Sequence, residues 1–599
     1  MQRKLWFVFG VFCVLFVILI ARLMYIEYSS GKKYEKIVLS QQEYDSEIIP
    51  FQRGDIEDSK GTVLATSVDV YNVILDAKVL NANEDCIDST FSALSEYIPE
   101  ADTQKGRSVL SDDPDNQYTV LAKKISYEEM EAFKQAADAE DSNVKGIWFE
   151  KTYQRVYPYG SLGAALIGFA TSGNTGVIGL ENQYNSTLNG VNGRSYGYLN
   201  SDSSLEQTVI DAENGKTLVT SIDVNIQSIV EQAISDFNAQ YANENGDGSK
   251  NTAVLVMNPQ TGEILAMATY PTFDLNNPRN LTAFFDQSEI DAMSADDQLN
   301  FLNNLWQNYP VSHTYEPGST FKPFTVACGL DTGTLTGDET YFCDGGEVIG
   351  DYTVHCVNRS GHGLLTVQQA LMESCNDALM QMSYAIGAHN FAEYQNLFGF
   401  GQKTNIDLPG EGRTDSLIYT EEQLGQTINL ATNAFGQNFN TTMVQLASAF
   451  CSLINGGTLY QPHVVTKVVD SSGNTVREIE PLVLKQTVSK EVSDQMKTYL
   501  RAVVAEGTGK TAGVDGYDVG GKTGTAQKLP RSEGNYLVSF IGYAPQDTPK
   551  VLIYTIVDEP NTADQAHSSY AQEITHNILA QILPYLNIET SAQAAAAQQ

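Results

Sequence analysis

The spacing of hydrophobic and polar positions changes several times along the chain, and each change predicts a different kind of element. Leu5 to Ala21 form a run of 17 uncharged, mostly apolar residues, the short end of what a membrane-spanning helix needs. Between about residues 46 and 215, short runs typical of β-strands (VYNVIL, YTVLA, GIWFE) alternate with polar turns and one acidic helical stretch, Tyr127 to Ala139. We therefore expect an anchor followed by an irregular α+β module that consists largely of extended segments.

From about residue 216 the pattern predicts one larger α+β domain. It begins with a helix, Val224 to Phe237, and with two strands joined by the turn Asn258-Pro-Gln-Thr-Gly262. Helical stretches follow at Leu365 to Ile386 and at Val444 to Ile454. The segment ends with three more strands and a helix: Tyr517–Gln527, Leu537–Tyr543, Lys550–Val557 and Tyr570–Leu583. Because strands stand at both ends, we expect one sheet built from both ends of the segment.

These patterns divide the chain into four parts: residues 1–26 as a cytoplasmic tip and transmembrane anchor, 27–215 as a first module, 216–587 as the larger domain, and 588–599 as a flexible tail. Arg3 and Lys4 precede the apolar run, so the positive-inside rule places the N-terminus in the cytoplasm and both modules outside the cell membrane. No small-residue cleavage site follows the run, which favours an uncleaved single-pass anchor over a signal peptide.

Composition narrows the classes of function. The chain has 36 basic and 73 acidic residues and a formal charge of −37. This balance argues against nucleic-acid binding, since a duplex-binding surface needs Lys and Arg opposite the phosphates. Seven cysteines in 599 residues exclude a disulfide-dense scaffold. A hydrophobic content of 42% is sufficient for sizeable cores.

Three short motifs carry the candidate chemistry. Ser319-Thr-Phe-Lys322 stands where a helix is expected to begin, and positions i and i+3 share one helix face. Lys322 can therefore serve as the base that a serine nucleophile requires. Ser374-Cys-Asn376 follows 55 residues later, and Lys522-Thr-Gly524 a further 148 residues later. The first two motifs are weak alone, because Ser319 could simply cap a helix and Ser-x-Asn occurs elsewhere in the chain, whereas Lys-Thr-Gly occurs once. Their order is the signature of penicillin-binding proteins and class A β-lactamases.

Acyl transfer assigns a role to each catalytic candidate. Ser319 attacks a carbonyl and Lys322 takes its proton. Ser374 relays that proton to the departing amine. Asn376 can hold a peptide backbone, because its amide both donates and accepts hydrogen bonds. Lys522 supplies a positive charge that favours a substrate carboxylate and a deprotonated neighbouring amine.

The third motif also supplies the candidate substrate-binding residues. Thr523 and Thr525 offer hydroxyl donors to the same carboxylate, and Gly524 lets the substrate backbone lie close to the strand. The backbone N–H groups of Ser319 and Thr525 are expected to form an oxyanion hole. None of these steps requires a metal or another cofactor, and we predict neither.

Longer segments around the motifs resemble class B, monofunctional penicillin-binding proteins, the D,D-transpeptidases of bacterial cell-wall synthesis. In the larger domain the similar segments are Tyr315–Pro323, Asn258–Ala266, Phe398–Gly401 with Asp407–Glu411, and Val519–Gln527. In the first module they are Arg53–Ala65, Arg155–Pro158 and Gly179–Glu181. The resemblance implies an α+β transpeptidase domain, with an antiparallel sheet, helices on both faces and an all-helical subregion. It also implies an elongated, mostly-β pedestal of the dimerisation-domain type at residues 27–215.

The same resemblance implies a substrate and partners. The substrate is a peptidoglycan stem peptide ending in D-Ala-D-Ala, and β-lactams acylate the same serine. Partners are a lipid-linked glycan polymerase and other membrane proteins of division or elongation, and no nucleic acid. Glu316 before Pro317, without a long insertion, is more similar to the division and sporulation branch, which implies septal or spore wall synthesis.

Two alternative functions stay open. One is a catalytically idle scaffold of the division machinery, and the less favoured one is a β-lactamase. The chain lacks the Glu-x-x-Leu-Asn segment that class A enzymes use for deacylation. A separate hypothesis concerns Cys356 and Cys375, which outside the membrane could form a regulatory disulfide beside Ser374. The alternative is that both are free, small apolar residues.

Overall fold

A computed structural model describes residues 15–25, 46–139, 142–199, 205–244 and 246–593. Residues 15–25 form helix α1, and its side chains are exposed. Over the described ranges, no helix combines the length and the apolar character needed to cross a membrane. The other residues of the predicted anchor, 1–14 and 26, lie outside the described residues, as do residues 594–599 of the predicted tail.

The first module contains seven described strands, and an eighth follows at the start of the larger domain: β1 (Ser46–Ile49), β2 (Ile56–Glu57), β3 (Val63–Leu75), β4 (Thr119–Ile125), β5 (Ile147–Val156), β6 (Gly193–Leu199), β7 (Leu205–Ile210) and β8 (Thr217–Thr220). Strands β1, β6 and β7 form an antiparallel sheet of their own, while β3 pairs with both β4 and β5. Seven described helices accompany them: α2 (Ala77–Asn81), α3 (Ile87–Tyr97), α4 (Thr103–Asp112), α5 (Tyr127–Ala137), α6 (Ala164–Ile167), α7 (Gly179–Gln183) and α8 (Asn185–Leu188).

The expectation of a mostly-β pedestal is wrong, because helices make up a large part of this module. Strands β3 and β4 turn an apolar face to one side, and α3 and α5 cover it with Phe91, Leu94, Met130 and Phe133. A half-apolar sheet must bury that face against another layer, and amphipathic helices are the layer that this sequence provides.

Segments of the first module that resemble the family meet in a buried ion network. The carboxylate of Glu181, in α7, accepts hydrogen bonds of 2.7 Å from Nε of Arg53 and from Nε of Arg155. The Tyr157 hydroxyl donates to the same carboxylate at 3.2 Å. Glu181 and Arg53 are almost completely buried, so each charge depends on the others for compensation.

After β8, the larger domain contains thirteen further described strands: β9 (Ser249–Met257), β10 (Ile264–Tyr270), β11 (Thr340–Cys343), β12 (Gly346–Ile349), β13 (Tyr352–His355), β14 (Gly363–Thr366), β15 (Thr458–Tyr460), β16 (Val465–Val469), β17 (Thr475–Glu478), β18 (Val483–Gln486), β19 (Gly520–Gln527), β20 (Tyr536–Ala544) and β21 (Val551–Pro560). Its described helices are α9 (Val224–Tyr241), α10 (Gln287–Ala292), α11 (Ala295–Leu305), α12 (Tyr309–Ser312), α13 (Lys322–Asp331), α14 (Val367–Met372), α15 (Asn376–Leu397), α16 (Glu421–Leu424), α17 (Thr427–Asn433), α18 (Met443–Ile454), α19 (Lys490–Ala505) and α20 (Ser569–Tyr585).

The central sheet is antiparallel, with the strand order β10-β9-β21-β20-β19. Strands from both ends of the segment thus share one sheet, as predicted from the pattern. Helices α9 and α20 cover one face with residues such as Val230 and Ile578. The helical subregion covers the other face, where Phe450 of α18 lies 6.3 Å from Tyr543 between ring centroids. Strand β19 is left at the edge of the sheet.

A second sheet joins the two modules. Strand β16 of the larger domain pairs with β8, which pairs in parallel with β2 of the first module. The complete order is β17-β16-β8-β2-β3-β4, with β5 attached to β3. Hydrophobic spacing alone gave no sign of this pairing, because it joins strands about 250 residues apart in sequence and depends on tertiary contact.

Candidate active site

The candidate nucleophile lies on a tight turn at the start of α13. Residues Gly318–Phe321 form a 3-10 turn that continues into the helix. Gly318 has a φ of +56°, and a Cβ at this position would lie 2.5 Å from the carbonyl oxygen of Thr525. Glycine thus allows the serine-bearing turn to pack directly on edge strand β19. Ser319 is half-buried, whereas Lys322, one helical turn later, is fully buried.

The second motif lies at a break between two helices. The predicted continuous helix from Leu365 to Ile386 is wrong at this point, because α14 ends at Met372 and α15 begins at Asn376. Between them, Ser374 has a φ of +52°, in the left-handed region that a non-glycine residue rarely adopts. The break turns the Ser374 side chain away from a helix surface and towards the two lysines.

Ser374 lies between the two buried amines. Lys322 Nζ donates to the Ser374 carbonyl oxygen at 2.5 Å and to its hydroxyl oxygen at 3.1 Å. Lys522 Nζ donates to the same hydroxyl oxygen at 2.9 Å and to the Thr523 hydroxyl at 3.1 Å. The three motifs, far apart in sequence, therefore meet at one hydroxyl group.

Burial makes both amines weaker bases than ordinary lysines. Loss of water around Lys322 lowers its pKa to about 8. The pKa of Lys522 is also lowered, first by burial and then by the nearby positive charge of Lys322. Two ammonium groups that share one hydroxyl in a dry site repel each other, so this environment favours a neutral amine. A neutral amine can accept a proton from a hydroxyl.

The remaining candidates surround a cleft of about 640 Å³. Asn376 is the first residue of α15, and its amide donates to the His355 carbonyl at 3.2 Å. The Thr523 hydroxyl shares a 3.1 Å hydrogen bond with Thr508, and the Thr525 hydroxyl donates to the Ala566 carbonyl at 3.4 Å. Six of the eight predicted residues line this cleft: Ser319, Ser374, Asn376, Thr523, Gly524 and Thr525. The other two, Lys322 and Lys522, reach it through Ser374.

The absence of a side chain at Gly524 also serves the packing of the domain. We expected the missing side chain to admit the substrate backbone. In the structure, a Cβ at this position would collide with Ser539 Oγ and lie 2.8 Å from Thr320 Cγ2. Gly524 is thus required for β19 to pack against β20 and the serine-bearing turn.

The cleft also has lining residues that sequence reasoning missed. They include His362, Thr508, Tyr536, His567 and Gln572. These residues come from separate loops and element ends, and no motif marks them.

The thiols of Cys356 and Cys375, considered above as a disulfide pair, are both free, with their sulfur atoms 3.7 Å apart.

Comparison with known proteins identifies two family domains in the chain. Residues 252–580 match the family described as penicillin binding protein transpeptidase domain, and residues 48–220 match the penicillin-binding protein dimerisation domain. The chain is 33% identical to stage V sporulation protein D of Bacillus subtilis over 602 residues, covering 98% of this chain and 86% of that protein. It is 27% identical to the peptidoglycan D,D-transpeptidase FtsI of Buchnera aphidicola over 569 residues, covering 90% and 88%.

A solved structure shows the same fold. The crystal structure of penicillin binding protein 2X from Streptococcus thermophilus superposes with a TM-score of 0.74 at 23% identity. The superposition covers 92% of this chain and 82% of that one.

Proposed function

The chain belongs to the penicillin-binding proteins that combine a transpeptidase domain with a dimerisation domain, and we propose from this premise that it is a peptidoglycan D,D-transpeptidase acting through Ser319. The observation that carries the proposal is the Ser374 hydroxyl, held between the buried amines of Lys322 and Lys522. A scaffold without activity has no need to keep two lysines in a dry site, where their charges are costly.

In the first step Ser319 Oγ attacks the carbonyl carbon of the penultimate D-Ala. The neutral amine of Lys322 takes the hydroxyl proton, and the carbonyl oxygen becomes an oxyanion. The backbone N–H groups of Ser319 and Thr525 stabilise that charge, and one such donor is typically worth roughly 2.7–4 kcal/mol. The C–N bond then breaks as the oxyanion re-forms the carbonyl. Ser374 gives its proton to the departing D-Ala amine and takes the proton that Lys322 holds, so an ester on Ser319 and a neutral Lys322 remain.

In the second step an amine from a neighbouring stem peptide attacks this ester. The proton that the amine loses returns through Ser374 and Lys322 to Ser319 Oγ as the C–O bond breaks. The products are the cross-linked peptide and the free enzyme, so atoms and charges balance over the cycle. A β-lactam enters the same first step, but its amine remains tethered to the acyl group.

The substrate is oriented by the third motif and by Asn376. The ammonium form of Lys522, together with the hydroxyls of Thr523 and Thr525, binds the terminal carboxylate of the stem. The amide of Asn376 binds the peptide backbone. Because β19 is an edge strand, its free edge is available to an extended peptide.

The cellular setting is part of the same proposal. One relative that matches over nearly the whole chain is a sporulation protein, and Glu316 before Pro317 favours the division and sporulation branch. We therefore propose septal or spore wall synthesis. We also propose that a single N-terminal helix holds the chain in the cell membrane, next to a lipid-linked glycan polymerase.

The test is to incubate the purified full chain in detergent with a fluorescent penicillin and to map the adduct by mass spectrometry. We expect a long-lived adduct on Ser319 that is absent in Ser319→Ala. The matched control is Ser472→Ala, an exposed serine in another Ser-x-Asn sequence, which should label like the parent. Rapid release of hydrolysed drug would instead identify a β-lactamase, and no adduct at all would favour the scaffold.

A further inference from the structure

Three cysteines and one histidine converge directly beside the second motif. Cys343 ends β11, Cys356 follows β13, His362 precedes β14, and Cys375 lies between Ser374 and Asn376. Their ligand atoms all lie within 4.8 Å of one another. We propose that these four residues bind a structural Zn²⁺ ion that holds the Ser374–Asn376 segment in place.

Three pairs of atoms in the cluster lie at the distances of a tetrahedral zinc site, and all four atoms lie within 4.8 Å of one another. Zn–S bonds of about 2.3 Å and Zn–N bonds of about 2.0–2.1 Å, at tetrahedral angles, place two sulfurs about 3.8 Å apart and a sulfur and a nitrogen about 3.6 Å apart. The sulfurs of Cys356 and Cys375 are 3.7 Å apart. His362 Nδ1 lies 3.5 Å from the Cys343 sulfur and 3.6 Å from the Cys356 sulfur.

A metal explains the cluster better than a disulfide does. A disulfide needs a sulfur–sulfur distance of about 2.05 Å, well short of the 3.7 Å between Cys356 and Cys375. It would also leave Cys343 and His362 beside the bond with no role. Three thiolates and one imidazole are the soft, four-coordinate set that zinc prefers. The Ala378 N–H that donates to the Cys375 sulfur at 3.4 Å also suits a thiolate ligand.

The local fold has only a small apolar core, in which Ile349 and Val354 pack against Met380 and Phe435. Residues 340–366 form two short hairpins, β11 with β14 and β12 with β13. Large apolar side chains there are exposed, among them Phe342, Val348, Tyr352 and Leu364. The buried side chains of this segment belong to Cys343, Cys356 and Leu365. Isolated hairpins are marginal in water, and a metal is a common replacement for a missing core.

The ion would act on catalysis only by position. Four protein ligands leave no open coordination site for water or substrate. Cys375 is the N-cap residue of α15, so a bond from its sulfur would fix the residues on both sides of it. This positional role rests on the proposed function, whereas metal binding itself does not.

The first measurement is the metal content of the full chain, purified under reducing conditions and dialysed against metal-free buffer. We expect about one zinc per chain in the parent, and a roughly tenfold or greater loss in Cys343→Ser and in His362→Ala. Cys86→Ser, a half-buried thiol in the first module, should retain the metal. Because a variant could fail to fold, the parent is also stripped with a chelator and refilled with Co²⁺, whose thiolate complexes absorb visible light in tetrahedral geometry.

The second measurement is labelling of Ser319 by fluorescent penicillin before stripping, after stripping and after addition of Zn²⁺. We expect labelling to slow about tenfold or more without metal and to recover with it. Metal bound at the four residues without any labelling would uphold the zinc site and refute the proposed function. Zinc below a tenth of an equivalent in the reduced parent even after addition of Zn²⁺, or no tetrahedral Co²⁺ spectrum, would overturn the inference. So would an intact mass two hydrogens lower in the freshly isolated chain, which shows a disulfide instead.

Discussion

Replacement of Lys322 by methionine separates the cost of a buried amine from its catalytic use. Methionine has nearly the same length but carries no charge. Without the base, we expect labelling of Ser319 by a fluorescent penicillin to fall by roughly 10²–10⁴-fold. At the same time we expect the transpeptidase domain to become more stable, because burial of the Lys322 amine lowers the free energy of unfolding of the parent.

The expected stabilisation follows from the pKa of Lys322, which burial lowers from 10.5 to about 8. Each pKa unit corresponds to about 1.36 kcal/mol, so at pH 7 this burial costs the folded state about 3 kcal/mol. The variant also loses the hydrogen bond to the Ser374 carbonyl, a loss of about 1–2 kcal/mol. The net effect is a gain of about 1–2 kcal/mol, which raises the unfolding temperature by a few °C.

The pH dependence of unfolding distinguishes this effect from mere repacking of the core, which would not change with pH. Between pH 8 and 10.5 the unfolded parent binds more protons at Lys322 than the folded parent, so the stability of the parent rises with pH in this window. The Lys322→Met variant binds no proton at this position, so its advantage over the parent at pH 7 should disappear, and the order of stability should reverse, by pH 10. Thermal unfolding of the full chain in detergent, followed by fluorescence, measures this difference. Lys403→Met, at an exposed position, is the control. A variant that is less stable than the parent at pH 7, by an amount that does not change with pH, would refute the reasoning.

Three further predictions concern the pH profile, the pedestal and the edge strand. The rate of Ser319 acylation should rise with pH around a midpoint near 8, since only neutral Lys322 accepts the proton; a flat profile from pH 6 to 9 would contradict this. Glu181→Gln should lower the free energy of unfolding of the first module by about 3–5 kcal/mol, because two buried arginines lose their carboxylate. Asp415→Asn, in an exposed pair, should leave unfolding by urea unchanged, and equal effects would count against the network. Gly524→Ala should slow acylation by about tenfold or more, because the added methyl group displaces β19. A second substitution, Ser539→Ala, should recover part of the rate. Full activity of the single variant would show that the strand tolerates the side chain.

The elements of the larger domain could be predicted largely from hydrophobic spacing. Val224–Phe237 and Val444–Ile454 are helical, and the five strands of the central sheet lie where alternating or continuous apolar runs predict them. These elements are buried on at least one face, so burial imposes a period that the sequence must show. The three candidate motifs were recognisable for a similar reason, since acyl transfer restricts the types of residue and the known families share one order of motifs.

The break at Ser374 could not be predicted in the same way. Apolar positions continue with helical spacing through Leu365 to Ile386, so the pattern predicts one helix. The left-handed backbone of Ser374 depends on contacts with Lys322 and Lys522, which lie 52 and 148 residues away. Local spacing contains no information about such contacts. The same holds for the convergence of His362 with three cysteines, because their separations in sequence match no short zinc-binding repeat.

Placement of one hydroxyl group therefore depends on three separate parts of the fold. Lys322 is fixed by the turn that Gly318 allows against β19, and Lys522 is fixed by the pairing of β19 with β20. Ser374 itself lies between the ends of α14 and α15, where the two lysines hold it by hydrogen bonds, and its backbone lies in an unfavourable region. An error of about 1 Å at such a group can cost about 10²-fold in rate. Of these three candidate residues, Ser374 alone lies outside a helix or strand, and it is next to Cys375. Changes in the cysteine–histidine cluster should therefore alter acylation more than equal changes beside either lysine.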